Sequence, residues 1–212
     1  MDYFKELNFR TPAQERSKKT LEDIEVAFSD IGQLGEIENI NSENLSAKSG
    51  YSQSTLFHYF KKFDDIYSYV FLIRAKKTTL IACEMINQHP ADAPLSVLVG
   101  NIVKLSIEQC NRPPRKALLF VLKKFIKNTD NPQLINTSAD VVIPYWMAAT
   151  ERDQTNTFVK FTESELLLRF RAFQAVIRSP FFEDKAMAGT SEHAEIAYDL
   201  AMNIFSAPVA AL

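Results

Sequence analysis

The stretch NSENLSAKSGYSQSTLFHYFKK, residues 41–62, reads as two short helices joined by a tight turn. Asn41 stands where it can cap the first helix, whose apolar positions are Leu45 and Ala47, and Gly50 is the residue that accepts a left-handed helix end. Ser52 follows the turn and is placed to cap the second helix by accepting a backbone N–H near Thr55. The spacing then carries Leu56 and the Tyr59/Phe60 pair inward at three- and four-residue intervals. Gln53, Ser54, Thr55, Phe57 and His58 are left at the exposed start of that second helix.

Two capped helices about a glycine turn make a helix-turn-helix, whose second helix enters the DNA major groove with its N-terminal residues nearest the base edges. From about Thr11 to Leu72 the chain resembles the DNA-binding domain of TetR-family transcriptional regulators. The family signature Ala-Gly-Val-Ser-x-Gly-x-Leu-Tyr-x-Tyr-Phe is met by Ser49-Gly50-Tyr51-Ser52-Gln53-Ser54-Thr55-Leu56-Phe57-His58-Tyr59-Phe60. The aromatic run that ends the recognition helix is the specific part of the match. Three departures from the family matter most: Ser54 replaces a frequent Gly, Phe57 replaces the family's phosphate-touching Tyr, and Phe63, just past the signature, stands where a Lys is usual.

The flanks of the motif suit that reading. Thr11-Pro12-Ala13-Gln14 is a helix start with a capping Thr and Pro at the first helical position. Leu21, Ile24, Ala27/Phe28 and Ile31 mark one helical face, and Gly32 and Gly35 end it. Beyond the motif, Asp64 and Asp65 favour a new helix N-terminus. Ile66, Tyr69/Val70, Ile73, Leu80/Ile81 and Met85 carry this helix to about Gln88, where His89-Pro90 stops it. So long a helix would leave a small domain and enter a larger one.

The chain has 212 residues, 46% of them hydrophobic, with only five glycines and no persistent strand alternation. These values predict an all-α protein, and the position of the motif favours two domains: a three-helix helix-turn-helix domain over residues 1–65 and a larger helical bundle over 66–212, for which the resemblance implies effector binding and dimerisation. Further helices are expected over about 94–111, 114–128, 139–153, 157–179 (ended by Pro180) and 191–206. A net charge of −2 argues against an indiscriminate nucleic-acid binder. Lys48, Lys61 and Lys62 nevertheless lie in or beside the motif, and Arg10, Arg16, Lys18 and Lys19 lie at the start of the first helix, which makes a local basic face on an acidic body. The N-terminus is not a signal peptide and no run is long enough to span a bilayer, so the expected location is the cytoplasm, with Cys83 and Cys110 as reduced, buried thiols.

From these residues follow the expected contacts. Gln53, Ser54 and Thr55 approach base edges, Gln53 with the geometry for a bidentate pair with adenine; Phe57, His58, Tyr59, Lys61 and Lys62 complete the DNA-binding set. Residues 163–179 and 194–205 are apolar on more than one face. The resemblance implies a homodimer through such a helix pair, expected at Leu166, Phe170, Phe173, Ile177, Ala197, Ala201 and Ile204. An effector pocket for a largely apolar small molecule is expected among Asn101, Cys110, Phe120, Phe125, Tyr145, Trp146 and Met147. The resemblance implies a repressor that such a ligand releases from its operator by tilting the helix that begins near Asp64.

Catalytic groupings are poor. There are three histidines, His58, His89 and His193, and no phosphate loop, HExxH or nucleophile elbow. Glu192-His193-Ala194-Glu195 offers metal ligands only superficially, since acids in a first helical turn serve the dipole. No enzyme activity, metal or cofactor is expected. The rival reading is a helical protein-interaction module that keeps the fold without DNA recognition.

Overall fold

The computed structural model describes residues 14–112, 114–129 and 138–206. Every helix and strand element among them is helical: α1 (Glu15–Gln33), a 3-10 turn (Ile37–Asn39), α2 (Ser42–Ser49), α3 (Gln53–Tyr59), α4 (Asp64–Asn87), α5 (Leu95–Asn111), α6 (Arg115–Asn128), α7 (Ser138–Arg152), α8 (Glu163–Phe182) and α9 (Ser191–Ser206). The chain divides into two compact units. Unit 1 runs to Arg74 and takes in α6; unit 2 begins at Ala75, and α5, α7, α8 and α9 belong to it.

In unit 1 the stripe Leu21, Ile24, Phe28 and Ile31 of α1 is buried with Ile37, Ile40, Leu45, Leu56, Phe60, Ile66 and Val70. Each such side chain contributes on the order of 1.5–3 kcal/mol by leaving water. Tyr67 stands edge-on to Phe28 at 5.2 Å, with Phe63 and Phe120 at 5.9 and 5.7 Å. An ion pair ties α4 to α1: Arg74 Nε lies 3.5 Å from the buried Glu25 carboxylate, and Arg74 also donates to Ser29 Oγ at 2.5 Å.

The sequence-based boundary between residues 65 and 66 falls inside this unit. Ala117 and Val121 of α6 are buried in the same core as Phe28 and Phe60, and Lys124 and Lys116 reach Asp64 and Glu38 at 3.1 Å each. So α6, distant in sequence, completes the small domain, while α4 gives its first part to unit 1 and the rest to unit 2.

Unit 2 is centred on Trp146, which lies among Phe158, Phe170 and Phe205 at 5.9, 5.3 and 4.5 Å. Helices α8 and α9 run antiparallel: Phe170 and Phe173, in the middle of α8, meet Phe205 at the end of α9, and Phe181, at the end of α8, meets His193 at the start of α9. The α8 boundaries differ from expectation. Residues 153–158 are a turn in which the Asp153 carboxylate accepts the N–H groups of Thr155, Thr157 and Phe158. Helix α8 then opens at Thr162 with a Thr162/Glu165 capping box. It also continues through Pro180, which has no N–H to offer Val176 O. The buried His193 supplies a donor there: its Nδ1 accepts Gly189 N–H at 3.1 Å, so the proton sits on Nε2, which lies 3.4 Å from Val176 O.

Candidate nucleic-acid interface

The local sequence builds the turn in unit 1 by hydrogen bonds over a few residues. Asn41 Oδ1 accepts the N–H groups of Glu43 and Asn44 at 2.9 and 3.0 Å, and Asn44 Oδ1 accepts Asn41 N–H at 2.9 Å, a reciprocal cap. Helix α2 ends on Gly50 at φ +75°, the left-handed backbone that glycine adopts without a Cβ penalty. Ser46 donates to Tyr51 O, and Tyr51 Oη donates to Asp23 at 2.8 Å, fixing the turn to α1. Ser52 Oγ accepts Thr55 N–H at 3.2 Å and opens α3.

On α3, Leu56 and Phe60 are fully buried, Thr55 and Tyr59 are half-buried, and Gln53, Ser54, Phe57 and His58 are exposed, as are Lys61 and Lys62 just past its end. Tyr59 packs against the core of unit 1. The exposed side of α3 is therefore a single strip of Gln53, Ser54, Phe57 and His58. Ser42 Oγ donates to Gln53 Oε1 at 3.1 Å, which orients the amide and leaves its Nε2 donors available. Sequence reasoning missed this role of Ser42, whose only signal is a hydroxyl at the first position of α2.

The local basic face is partly self-neutralised. Lys48 pairs with Asp30 at 3.5 Å, Lys62 with Asp65 at 4.0 Å, Lys19 with Asp23 at 3.7 Å and Lys18 with Glu15 at 2.5 Å. Exposed pairs of this kind are worth little and can be exchanged for other anions. Lys61 forms no ion pair among the described residues. Arg10 and the Thr11-Pro12-Ala13 helix start lie outside the described residues. In the core of unit 1, burial pushes the Tyr67 hydroxyl far above the ordinary phenol range, with Asp64 adding to it, and does the same to Tyr69 with help from Glu25 and Glu22. Both stay neutral.

The other two expected sites are not assembled as the sequence reading had them. Of the pocket residues, Phe120 and Phe125 belong to unit 1, Phe125 stacking on Phe71 at 4.6 Å. Asn101, Tyr145 and Met147 are exposed, Trp146 is the centre of the unit 2 aromatic core, and Cys110 is partly buried beside Arg178 in unit 2. Burial pushes both thiols up, Arg178 partly opposing this at Cys110. Of the interface residues, Leu166, Phe170, Phe173, Ile177, Ala197 and Ala201 are buried within the chain's own core, and Ile204 is half-buried. A side chain already covered by its own chain has no surface to give a partner. The surface left by α8 and α9 carries Leu168, 65% exposed, with Ala172 and Ala175 in the same row, and Ile196 and Leu200, each 44% exposed.

Among the described residues, no group of three or more His, Cys, Asp or Glu side chains could hold a metal ion, and no helix is long and apolar enough to cross a membrane.

No protein-family model matches the sequence, and no curated protein matches it. Solved structures do match the fold. A protein of Mesorhizobium loti described as a TetR-family transcriptional regulator is 14% identical, with a TM-score of 0.59, over 92% of this chain and 100% of that one. A TetR-family regulator of Marinobacter aquaeolei is 13% identical, with a TM-score of 0.53, over 92% and 99%. A Shewanella protein with the same description is 10% identical, with a TM-score of 0.53, over 89% and 99%. The all-α fold of this chain is the fold of TetR-family transcriptional regulators.

Proposed function

We propose that the protein is a sequence-specific DNA-binding transcriptional regulator that acts as a homodimer in the cytoplasm. The observation that carries the reading is the α2–turn–α3 segment: both helices are capped and set on a packed core, and α3 turns a strip of Gln53, Ser54, Phe57 and His58 to solvent with Lys61 and Lys62 at its end. The shared fold supports it. In this reading Gln53, held by Ser42, pairs with adenine, Ser54 and Thr55 line the base edges, and His58, Lys61 and Lys62 hold phosphates.

The apolar surface of α8 and α9 around Leu168, Ile196 and Leu200 supports the dimer, with the contact on this face rather than on the buried one. Dimeric recognition sets two half-sites one helical turn, about 34–36 Å, apart. Regulation is by repression, and a small, largely apolar ligand bound by unit 2 releases the operator through α4, the helix that both units share. A small rotation of the two reading helices away from that spacing is enough to cost most of the affinity.

The test is selection of duplex DNA from a random pool by the purified protein at low salt. Enrichment of a palindrome whose half-site centres are about 10 base pairs apart supports the reading. No enrichment, with residual binding indifferent to sequence, overturns it in favour of an interaction module. Leu168→Glu/Leu200→Glu is expected to sediment as a monomer and to lose the palindromic complex.

A further inference from the structure

Phe57 is the one apolar side chain in the exposed strip of α3. Its ring is 46% exposed, one turn beyond Gln53 and three residues beyond Ser54, and the inward positions on either side, Leu56 and Phe60, are fully buried. Packing does not explain the ring, because the core of unit 1 is closed without it. Among the described residues it makes no ring or cation contact. In a strip of amide, hydroxyl and imidazole groups with Lys61 nearby, the surface is set for a polar, anionic partner that offers one apolar group at one place. The DNA major groove has such a group, the C5-methyl of thymine, and phenyl rings make apolar contact with it.

We infer that Phe57 is a specificity-determining residue that reads the C5-methyl group of one thymine in each operator half-site. This rests on the DNA-binding reading above and adds to it a base and a place. Four residues of helix rise about 6 Å. With α3 lying along the groove and base pairs about 3.4 Å apart, the thymine lies within about two base pairs of the one that Gln53 contacts. Gln53 then supplies hydrogen bonds and Phe57 supplies shape and apolar contact on the same strip. Adenine next to a methyl-bearing pyrimidine is a tighter specification than either residue gives alone.

The experiment uses the full chain and the operator selected by the wild-type protein. Each thymine in turn is replaced by 2′-deoxyuridine, which differs only in lacking the methyl group. Wild type, Phe57→Ala and Phe57→Leu are titrated on each duplex, after circular dichroism and thermal melting show that these exposed-site variants fold alike. The expected result is one thymine per half-site whose replacement weakens wild-type binding about three- to fivefold, the scale of one buried methyl group. Phe57→Ala should bind the original operator that much more weakly and be indifferent to deoxyuridine at that position, and Phe57→Leu should recover part of the dependence. The inference is overturned if no thymine replacement affects wild type, or if Phe57→Ala is as sensitive to it as wild type. If wild type selects no operator, the DNA-binding reading fails first and takes this inference with it, a failure visible before any thymine is replaced.

Discussion

In unit 1 the α2–turn–α3 segment is held largely by itself: Asn41 with Glu43 and Asn44, Ser46 with Tyr51, and Ser52 with Thr55. Unit 2 is fastened by side chains that reach across the chain. Asn111 donates to Gly189 O at 3.0 Å, Thr157 Oγ1 accepts Leu95 N–H at 2.8 Å, Arg152 donates to Ile86 O and Asn87 O, and His193 bridges Gly189 and Val176. The difference separates a presented surface from a scaffold. A surface made of short-range bonds keeps its shape wherever its core supports it, whereas the bundle depends on a few distant anchors, each fixing a helix end.

Core truncation should produce the largest effects and should reveal whether the units act separately. Trp146→Ala in unit 2 and Phe60→Ala in unit 1 each empty a site that is 1% or less exposed and should cost about 3–5 kcal/mol in urea unfolding. Two transitions, each moved by only one of the variants, would sharpen the contrast; a single transition moved by both would show that the units unfold as one.

The long-range anchors come next. Gly189 has φ +79°, and a Cβ there would stand 2.1 Å from Asn111 Oδ1. Gly189→Ala should therefore lower stability by about 1–2 kcal/mol, the scale of left-handed strain, with more lost if Asn111 must move. Placing it in an Asn111→Ala background should remove the clash and leave the strain, which a double-mutant cycle reads as a coupling between the two sites.

A short-range anchor should matter less. Asn41→Ala removes the cap shared with Asn44 and should cost about 1 kcal/mol. The loss should show first as faster hydrogen exchange at the start of α2, with unit 2 amides unchanged. Equal protection loss in both units would show that the cap is not a local anchor.

The smallest effect is that of pH on the turn before α8. Burial acts to raise the Asp153 carboxyl, but the Thr155 hydroxyl and the N–H groups of Phe158, Thr155 and Thr157 outweigh it and hold it below the ordinary carboxylate range. A depressed value stabilises the fold fully above the unfolded value, about pH 4, and that contribution is lost as pH falls through the folded one. Wild type should thus exceed Asp153→Asn in melting temperature at pH 7, and the gap should close as the pH drops below about 4. A gap independent of pH would remove the carboxylate's charge from the explanation.

How much was legible in the sequence follows the same division. Asn41, Gly50 and Ser52 each act on residues at most five positions away, so their types and spacing sufficed to place α2, the turn and α3. The buried role of Leu56 and Phe60 was legible for the same reason. The place of α6 was not, because Ala117 and Val121 join the core of residues 21–70 only once the chain has folded back, and nothing in their neighbourhood announces it. On α8 the sequence does have two apolar rows, but periodicity does not say which of them faces the home core. The row Leu166, Phe170, Phe173 and Ile177 is the buried one, and the row through Leu168 is exposed. Among the expected pocket residues, sequence does not tell a core position from a lining one: Phe125 is fully buried in unit 1 and Trp146 in unit 2. Pro180, expected to stop α8, sits within its last turn, since a single missing N–H near a helix end costs little when His193 faces the freed carbonyl.

The central claim, that α3 reads DNA sequence, is tested most directly by titrating the selected operator and a scrambled duplex of equal length with wild type and with Gln53→Ala/Lys61→Ala. Wild type should favour the operator by at least about 10³-fold, and the variant should bind both duplexes more weakly while losing most of that preference. An unchanged preference in the variant, or a wild-type protein that does not distinguish the two duplexes, would contradict it.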